Sequence, residues 1–160
     1  MSQGLSDRVV ALDYGSARCG VAVSDPTRTL ATPVDPILAP ATRRGFGRLV
    51  ARISELEAAV VVVGLPLSLS GADSDQTRET RAFVQRLRDR LNVPIEVYDE
   101  RFTTKLAHRS GGVTAEDSRA AAVLLEGWLA RERSAAAAPR PIRHQAGNPD
   151  EPHPDTTAEP

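Results

Sequence analysis

Three acids in this chain stand where acids are costly. Asp13 ends the apolar run Val9-Val10-Ala11-Leu12 and opens the segment Asp13-Tyr14-Gly15-Ser16-Ala17-Arg18-Cys19-Gly20. Glu100 follows Ile95-Glu96-Val97-Tyr98-Asp99, and Asp117 opens the helical pattern Asp117-Ser118-Arg119-Ala120-Ala121. Aspartate is depleted in strands, and a carboxylate in apolar surroundings costs free energy unless something compensates it. Three such groups from distant parts of the chain, each at the edge of an apolar element, point to one shared divalent-metal site. No histidine or cysteine joins the set, so the donors suit hard, oxygen-preferring cations, Mg²⁺ or Mn²⁺.

Each motif also has a plainer reading. Asp13-x-Gly15 with Gly20 puts a carboxylate at the C-terminal end of a strand, where open α/β sheets bind ligands, and glycines let a phosphate or metal approach closely. The plain alternative is a hairpin whose aspartate caps its own turn. Gly64-Leu65-Pro66 is either a strand terminator or a backbone ledge at the rim of a site. In Asp99-Glu100-Arg101-Phe102-Thr103-Thr104, side chains alternate along a strand, so only one of the two acids can face Asp13 directly. The plain reading there is an Asp/Arg surface pair with a threonine as helix cap. Thr114-x-x-Asp117 has the spacing of a capping box. Asp117 nevertheless shares a helical stripe with positions 121, 124/125 and 128, which turns it toward the sheet. Cys19, in phase with Val21 and Val23, belongs in the core, and His108 has no catalytic part.

The elements that must position these acids follow from periodicity. Val9–Asp13 and Gly20–Ser24 read as strands, and Thr32–Leu38 as a third, placed at a sheet edge by Pro33 and Pro36. Tight connections between them imply an antiparallel meander. From Thr42 the period becomes helical, with Phe46, Leu49/Val50, Ile53 and Leu56 on one face. Ala59–Val63 is a continuous β-branched run, the pattern of a central strand buried on both faces. Ser74 or Asp73 caps the next helix, whose apolar face is Phe83, Leu87 and Leu91 with Thr80 and Val84 beside it. Ile95–Tyr98 is the fifth strand, reached by a parallel crossover. Thr103–Ser110 reads as a short helix. The last helix runs from about Ala115 to Arg131, with Ala121, Leu124/Leu125 and Trp128/Leu129 buried. The result is an α/β fold, βββαβαβα, with an antiparallel half and a parallel half covered by helices.

The 160 residues fit one domain, placed at 8–133. Residues 134–160, rich in alanine and proline, read as a disordered acidic tail. No stretch approaches the roughly 20 apolar residues of a membrane helix. The start of the chain lacks the pattern of a signal peptide, so a cytoplasmic location is expected. A single cysteine excludes an internal disulfide and a cysteine-rich zinc site. The net charge is −1. Two arginines and four acids lie after residue 133, leaving 18 basic and 17 acidic residues before it, which is no strong electrostatic footprint for a nucleic-acid binder. Arginines do cluster locally, at 43, 44, 48 and 52 and again at 78, 81, 86, 88 and 90, where a solvated helix face is the plain reading.

Four blocks in order carry a family resemblance: Asp13-Tyr14-Gly15 with Arg18-Cys19-Gly20-Val21-Ala22-Val23-Ser24-Asp25; Val63-Gly64-Leu65-Pro66-Leu67; Asp99-Glu100-Arg101-Phe102-Thr103-Thr104; and Asp117-x-x-Ala120-Ala121-x-x-Leu124-Leu125-x-x-Trp128-Leu129. Over about residues 8–132 the chain resembles the YqgF/RuvX family, whose members are described as pre-16S rRNA nucleases and as Holliday junction resolvases. The resemblance implies an RNase H-like fold with a five-stranded mixed sheet, strands 1–3 antiparallel and 4–5 parallel. It implies a metal-dependent nuclease acting in 5′-end processing of pre-16S rRNA during ribosome biogenesis. The family's catalytic acids fall on Asp13, Glu100 and Asp117, which would hold Mg²⁺ or Mn²⁺ with Asp13 as the bridging ligand. Arg18, Arg101 and Lys105 are candidates for phosphate contacts. The expected partner is nucleic acid, pre-16S rRNA within ribosomal precursor particles or else branched DNA, with no membrane and a monomer or homodimer. Two other functions stay open at this level: a junction resolvase acting on DNA, and a catalytically weak RNA-binding ribosome-assembly module.

Overall fold

The computed structural model describes residues 6–68, 70, 72–102 and 115–138, with the backbone alone for 102 and 115–117. Strands β1 (Val9–Tyr14), β2 (Arg18–Ser24) and β3 (Ala31–Leu38) come first. Helix α1 (Arg43–Glu55), strand β4 (Val60–Leu65), helix α2 (Asp75–Arg90) and strand β5 (Ile95–Asp99) follow. A 3₁₀ turn, Glu100–Phe102, leaves β5, and helix α3 (Ala115–Ala137) closes the fold. The sheet order is β3-β2-β1-β4-β5. β1 pairs antiparallel with β2 and parallel with β4, and β4 pairs parallel with β5. This is the mixed five-stranded sheet that the sequence implies.

β1 is the axis of the structure because both of its faces are covered. Val9, Val10, Ala11 and Leu12 are all fully buried. Val10 and Leu12 pack with Val61 and Val63 under Phe46, Leu49 and Ile53 of α1 and Phe83, Val84 and Leu87 of α2. Val9 and Ala11 pack with Ala22 and Val62 under Ala121, Leu124, Leu125 and Trp128 of α3. A strand between two cores needs apolar residues at every position, hence the unbroken runs in β1 and β4. Each large side chain buried this way contributes about 1.5–3 kcal/mol. β3 lies at the sheet edge, where Pro33 and Pro36 leave no interior ladder bond unmade.

The helices begin where their caps dictate. Thr42 Oγ1 accepts the Gly45 N–H at 3.0 Å, and Ser74 Oγ accepts the Thr77 N–H at 3.2 Å. Gly45 is required by close approach: a Cβ there would stand 1.9 Å from the Ala39 carbonyl oxygen. The Ala39 N–H donates to the Ala17 carbonyl at 2.8 Å, which ties this turn to the β1–β2 hairpin.

Two expected boundaries move. Gly64 does not terminate β4. It lies inside the strand, which runs on to Leu65, since the β4–β5 ladder continues through Gly64↔Tyr98 and Leu65↔Asp99. The last helix continues past the expected start of the tail at Ser134, as far as Ala137, because Ala135–Ala137 are the strongest of helix formers. The expected helix at Thr103–Ser110 lies outside the described residues.

The β2–β3 turn is organised by one carboxylate. Asp25 accepts the N–H groups of Thr27, Thr29 and Leu30 at 3.2, 2.8 and 2.8 Å, and the Thr27 hydroxyl. The Leu30 N–H foremost, then the Thr27 hydroxyl, hold its carboxyl well below the ordinary value of 3.8. A carboxyl depressed in the folded state stabilises while ionised and loses that contribution as pH falls toward its folded value. The stability difference between the parent and Asp25→Ala should therefore be full at neutral pH and shrink steadily below about pH 4. Urea unfolding at a series of pH values measures it, and a gap that widens in acid would contradict the assignment.

The two glycines of α1 should respond in opposite ways. Gly45→Ala drives a methyl into backbone that cannot retreat, and a loss of at least about 1–3 kcal/mol is expected. Around Gly47 nothing lies within 4 Å of a built Cβ. Gly47→Ala should therefore gain about 0.5–1 kcal/mol from helix propensity. Paired denaturation curves test both.

Candidate active site

β1 places Asp13 on the α3 face of the sheet. Val9 and Ala11 face α3, and alternation carries Asp13 to the same side. Its neighbours across the sheet are glycines. Asp13 pairs with Gly20 of β2, and one step past the Leu12↔Val63 pair it runs beside Gly64 of β4. Neither neighbouring strand sends a side chain over the carboxylate from these positions.

Glu100 comes to the same spot from the other direction. A Cβ built on Gly64 would stand 2.7 Å from Glu100 Oε1, 3.2 Å from Glu100 Cγ and 3.2 Å from Leu124 Cδ2 of α3. The Glu100 carboxylate thus lies directly on the bare backbone of β4, next to Asp13. Opposite-facing side chains of Glu/Asp settle the choice left open by the sequence. Tyr98 packs in the α3 core, so Asp99 turns away from it and Glu100 turns toward it. Asp99 instead takes Arg101, with Nη2–Oδ2 at 2.6 Å, Nε–Oδ2 at 2.9 Å and the Arg101 backbone N–H to Oδ1 at 2.9 Å. The Arg101 fork holds the Asp99 carboxyl below its usual range.

The third acid arrives through α3. The Ser118 hydroxyl donates to the Val34 carbonyl of β3. Val34 pairs with Val21, and Val21 with Leu12. The first turn of α3 therefore lies over the end of the sheet where Asp13 stands. Asp117 occupies that turn, at helical spacing from Ala121 and Leu124, which are buried against the sheet. Its side chain lies outside the described residues, as does Lys105. Among the described residues no three His, Cys, Asp or Glu side chains form a metal-holding group.

Behind the rim, on the α2 side, residues 13–18 of the β1–β2 hairpin and Gln76 and Glu79 of α2 line a cleft of about 410 Å³. Arg18 lies in this wall. Tyr14 stacks on Phe83 with ring centroids 4.2 Å apart. Burial first, then the Glu79 charge, pushes its phenol pKa up. No feature of the sequence pairs Gln76 and Glu79 with the hairpin, since only the packing of α2 brings them there. Ser118 was likewise hidden, reading as an ordinary first-turn residue.

The donor chemistry fits a divalent cation. Asp13 and Glu100 offer carboxylate oxygens, the donors that hard divalent cations take.

Several known proteins are similar to this chain. The family model described as "RuvX: Holliday junction resolvase" matches residues 7–131. A Rhodococcus erythropolis protein named "Putative pre-16S rRNA nuclease" is 40% identical over 148 residues, covering 82% of each chain. Proteins of the same name from Mycobacterium sp. (strain KMS) and Roseiflexus sp. (strain RS-1) are 41% and 42% identical. They cover 82% and 64% of this chain, and 85% and 72% of their own lengths. Among solved structures, T. thermophilus RuvC in complex with a Holliday junction substrate aligns with a TM-score of 0.50 at 14% identity, over 79% of this chain and 96% of that one. That likeness establishes an RNase H-like fold. With the family match spanning the whole sheet and all three acids, the chain belongs to the RuvX family, as an RNase H-like nuclease.

Proposed function

We propose that this chain is a divalent-metal-dependent phosphodiesterase that trims the 5′ end of pre-16S rRNA in the cytoplasm. The observation that carries this reading is the Glu100 carboxylate lying against Gly64, the position that runs beside Asp13 in the sheet, and α3 would add Asp117. Asp13, Glu100 and Asp117 would hold Mg²⁺ or Mn²⁺, which when bound supplies an activated water and stabilises the leaving oxygen of an in-line displacement.

The chain's own residues set the conditions for that chemistry. Acids at the end of β1, just after β5 and on α3 would together present a negative charge that repels the substrate until a cation is present. Gly20 and Gly64 leave the phosphate a clear approach to the carboxylates. Arg18 in the hairpin, Arg101 after β5 and Lys105 are the residues that would contact flanking phosphates. Arg101 brings to that role a charge already shared with Asp99. The names of the relatives favour rRNA as substrate. The family description and the likeness to RuvC favour a second reading, cleavage of four-way DNA junctions, which requires a two-fold dimer presenting two sites.

Asp13→Asn separates enzyme from binding module. It keeps size and hydrogen bonding and removes the charge that would hold the metal. Cleavage of a labelled pre-16S rRNA 5′ leader in Mg²⁺ or Mn²⁺ should fall by at least about 10²–10³-fold, in the range of losses from removing a key electrostatic group. RNA affinity should hold or rise. Millimolar divalent cation should raise the parent's melting temperature by mass action and the variant's by less. A four-way junction assayed in parallel decides the substrate. Equal cutting by parent and variant would sink the catalytic assignment.

Gly64→Ala probes the floor of the site. Its methyl meets a flexible carboxylate and one leucine methyl rather than backbone, so a cost of about 1–3 kcal/mol is expected. The Glu100 carboxylate must move off β4, and cleavage and cation-induced stabilisation should both drop well beyond what the lost stability explains. A folded Gly64→Ala protein with full activity would show that Glu100 is not needed at this position.

A further inference from the structure

The near-zero net charge conceals a segregation that appears only in the fold. α1 carries four arginines and one glutamate, and α2 five arginines and three acids, and both lie on one face of the sheet. α3, on the other face, carries three arginines and four acids. Among the described residues Arg43, Arg44 and Arg48 form no ion pair, and all three are exposed.

These arginines are also joined to the rim of the site. Arg48 Nη2 donates to the Leu38 carbonyl at 3.1 Å. Leu38 is the cross-strand partner of Arg18, which lines the cleft beside Asp13. A polyanion leaving the carboxylates past Arg18 therefore meets Arg48 next, then Arg44 and Arg43. The helix rise sets Arg48 about 6–8 Å along the axis of α1 from the adjacent pair Arg43 and Arg44. Arg44, Gly47, Arg48 and Ala51 share one exposed face at i, i+3, i+4 and i+7 spacing. Gly47 and Ala51 leave that face low between the guanidinium groups, and among the described residues nothing stands within 4 Å of a Cβ built on Gly47.

We infer that the exposed face of α1, centred on Arg43, Arg44 and Arg48, is a docking surface for the sugar–phosphate backbone of the RNA at a distance from the scissile bond. It deepens the nuclease reading, adding grip at a distance to the phosphate contacts proposed for Arg18, Arg101 and Lys105. Continuity with the site through Arg18 and Leu38 selects the substrate strand over an anionic membrane or an acidic protein. Planar guanidinium forks suit phosphate oxygens.

The test is binding alone, with EDTA present so that no cleavage is needed. Full-length parent, Arg43→Gln/Arg44→Gln and Arg43→Gln/Arg44→Gln/Arg48→Gln are titrated by fluorescence anisotropy against a labelled pre-16S rRNA leader, across a salt series. The double variant leaves the Arg48–Leu38 bond intact, so it guards against loss of folding, and melting curves check both. Each lost phosphate contact should reduce the salt slope by about 1. The double variant should therefore lose about 1–2 and the triple about 2–3 in slope, with affinity falling at least about tenfold at 0.1 M salt. Unchanged affinity and slope in folded variants would overturn the inference, and so would a parent that fails to bind RNA. A loss confined to vesicles of 3:1 phosphatidylcholine and phosphatidylserine, with RNA binding intact, would assign the face to lipid and overturn it as well. A parent that binds with this salt dependence but never cuts leaves the docking face standing and removes the nuclease reading, so the two failures are distinguishable.

Discussion

A carboxylate at the end of a strand buried on both faces must be given room, water or a counter-charge, and the sheet around Asp13 is shaped by that demand. Any side chain on β2 or β4 at this level would cover the group. Gly20 stands opposite on one side and Gly64 alongside on the other. The same absence of a side chain at Gly64 lets Glu100 lie down on the strand, a Cβ there coming within 2.7 Å of its oxygen. One glycine thus answers two constraints, exposing Asp13 and seating Glu100. Fully buried neighbours in β1 and β4 then fix the strand ends in place, because close-packed cores do not slide.

The two faces of the sheet divide the work. The α3 face is lined with small and aromatic groups, Ala11, Ala22, Ala121 and Ala122 under Trp128, which let the helix approach closely. Trp128 Nε1 donates to Glu96 Oε2 at 2.9 Å and ties α3 across to β5. The opposite face carries the larger core and the arginines. Arg86 lies 4.1 Å from the Phe46 ring centroid and joins α2 to α1 there, a contact worth about 0.5–1 kcal/mol at an exposed site. Among the described residues the arginine-rich helices thus lie on the face opposite α3, and Arg18 stands at the rim between the two.

What the sequence made legible is what local pattern determines. The unbroken apolar runs marked β1 and β4 as central, the prolines marked β3 as an edge, and alternation required that Asp99 and Glu100 part company. Ser74 or Asp73 as the cap of α2 and Cys19 as a core residue followed from the same local rules; Ser74 is the cap and Cys19 is buried in the core. Gly64 misled, because glycine after a β-branched run has the look of a terminator. Only the pairing with Tyr98 on β5 shows that the strand goes on. The end of α3 misled for a related reason. Alanine-rich sequence next to prolines resembles a tail in composition, while alanine itself favours helix. Gln76, Glu79 and the sorting of arginines between faces depend on which helices share a layer, and no local window contains that information.

The way β5 ends shows how little energy is needed to present a carboxylate. Asp99 and Arg101 are paired in an exposed turn, and exposed ion pairs contribute only about 0–1 kcal/mol to global stability. Their geometry matters more than their energy. The Asp99 carboxylate accepts both the Arg101 backbone N–H and its guanidinium, which closes the chain into the 3₁₀ turn at the strand's last residue. From this turn the Glu100 side chain lies over Gly64, with Leu124 of α3 beside it. The strong packing forces set where the strand ends. A weak surface pair then decides where the acid that follows it comes to rest.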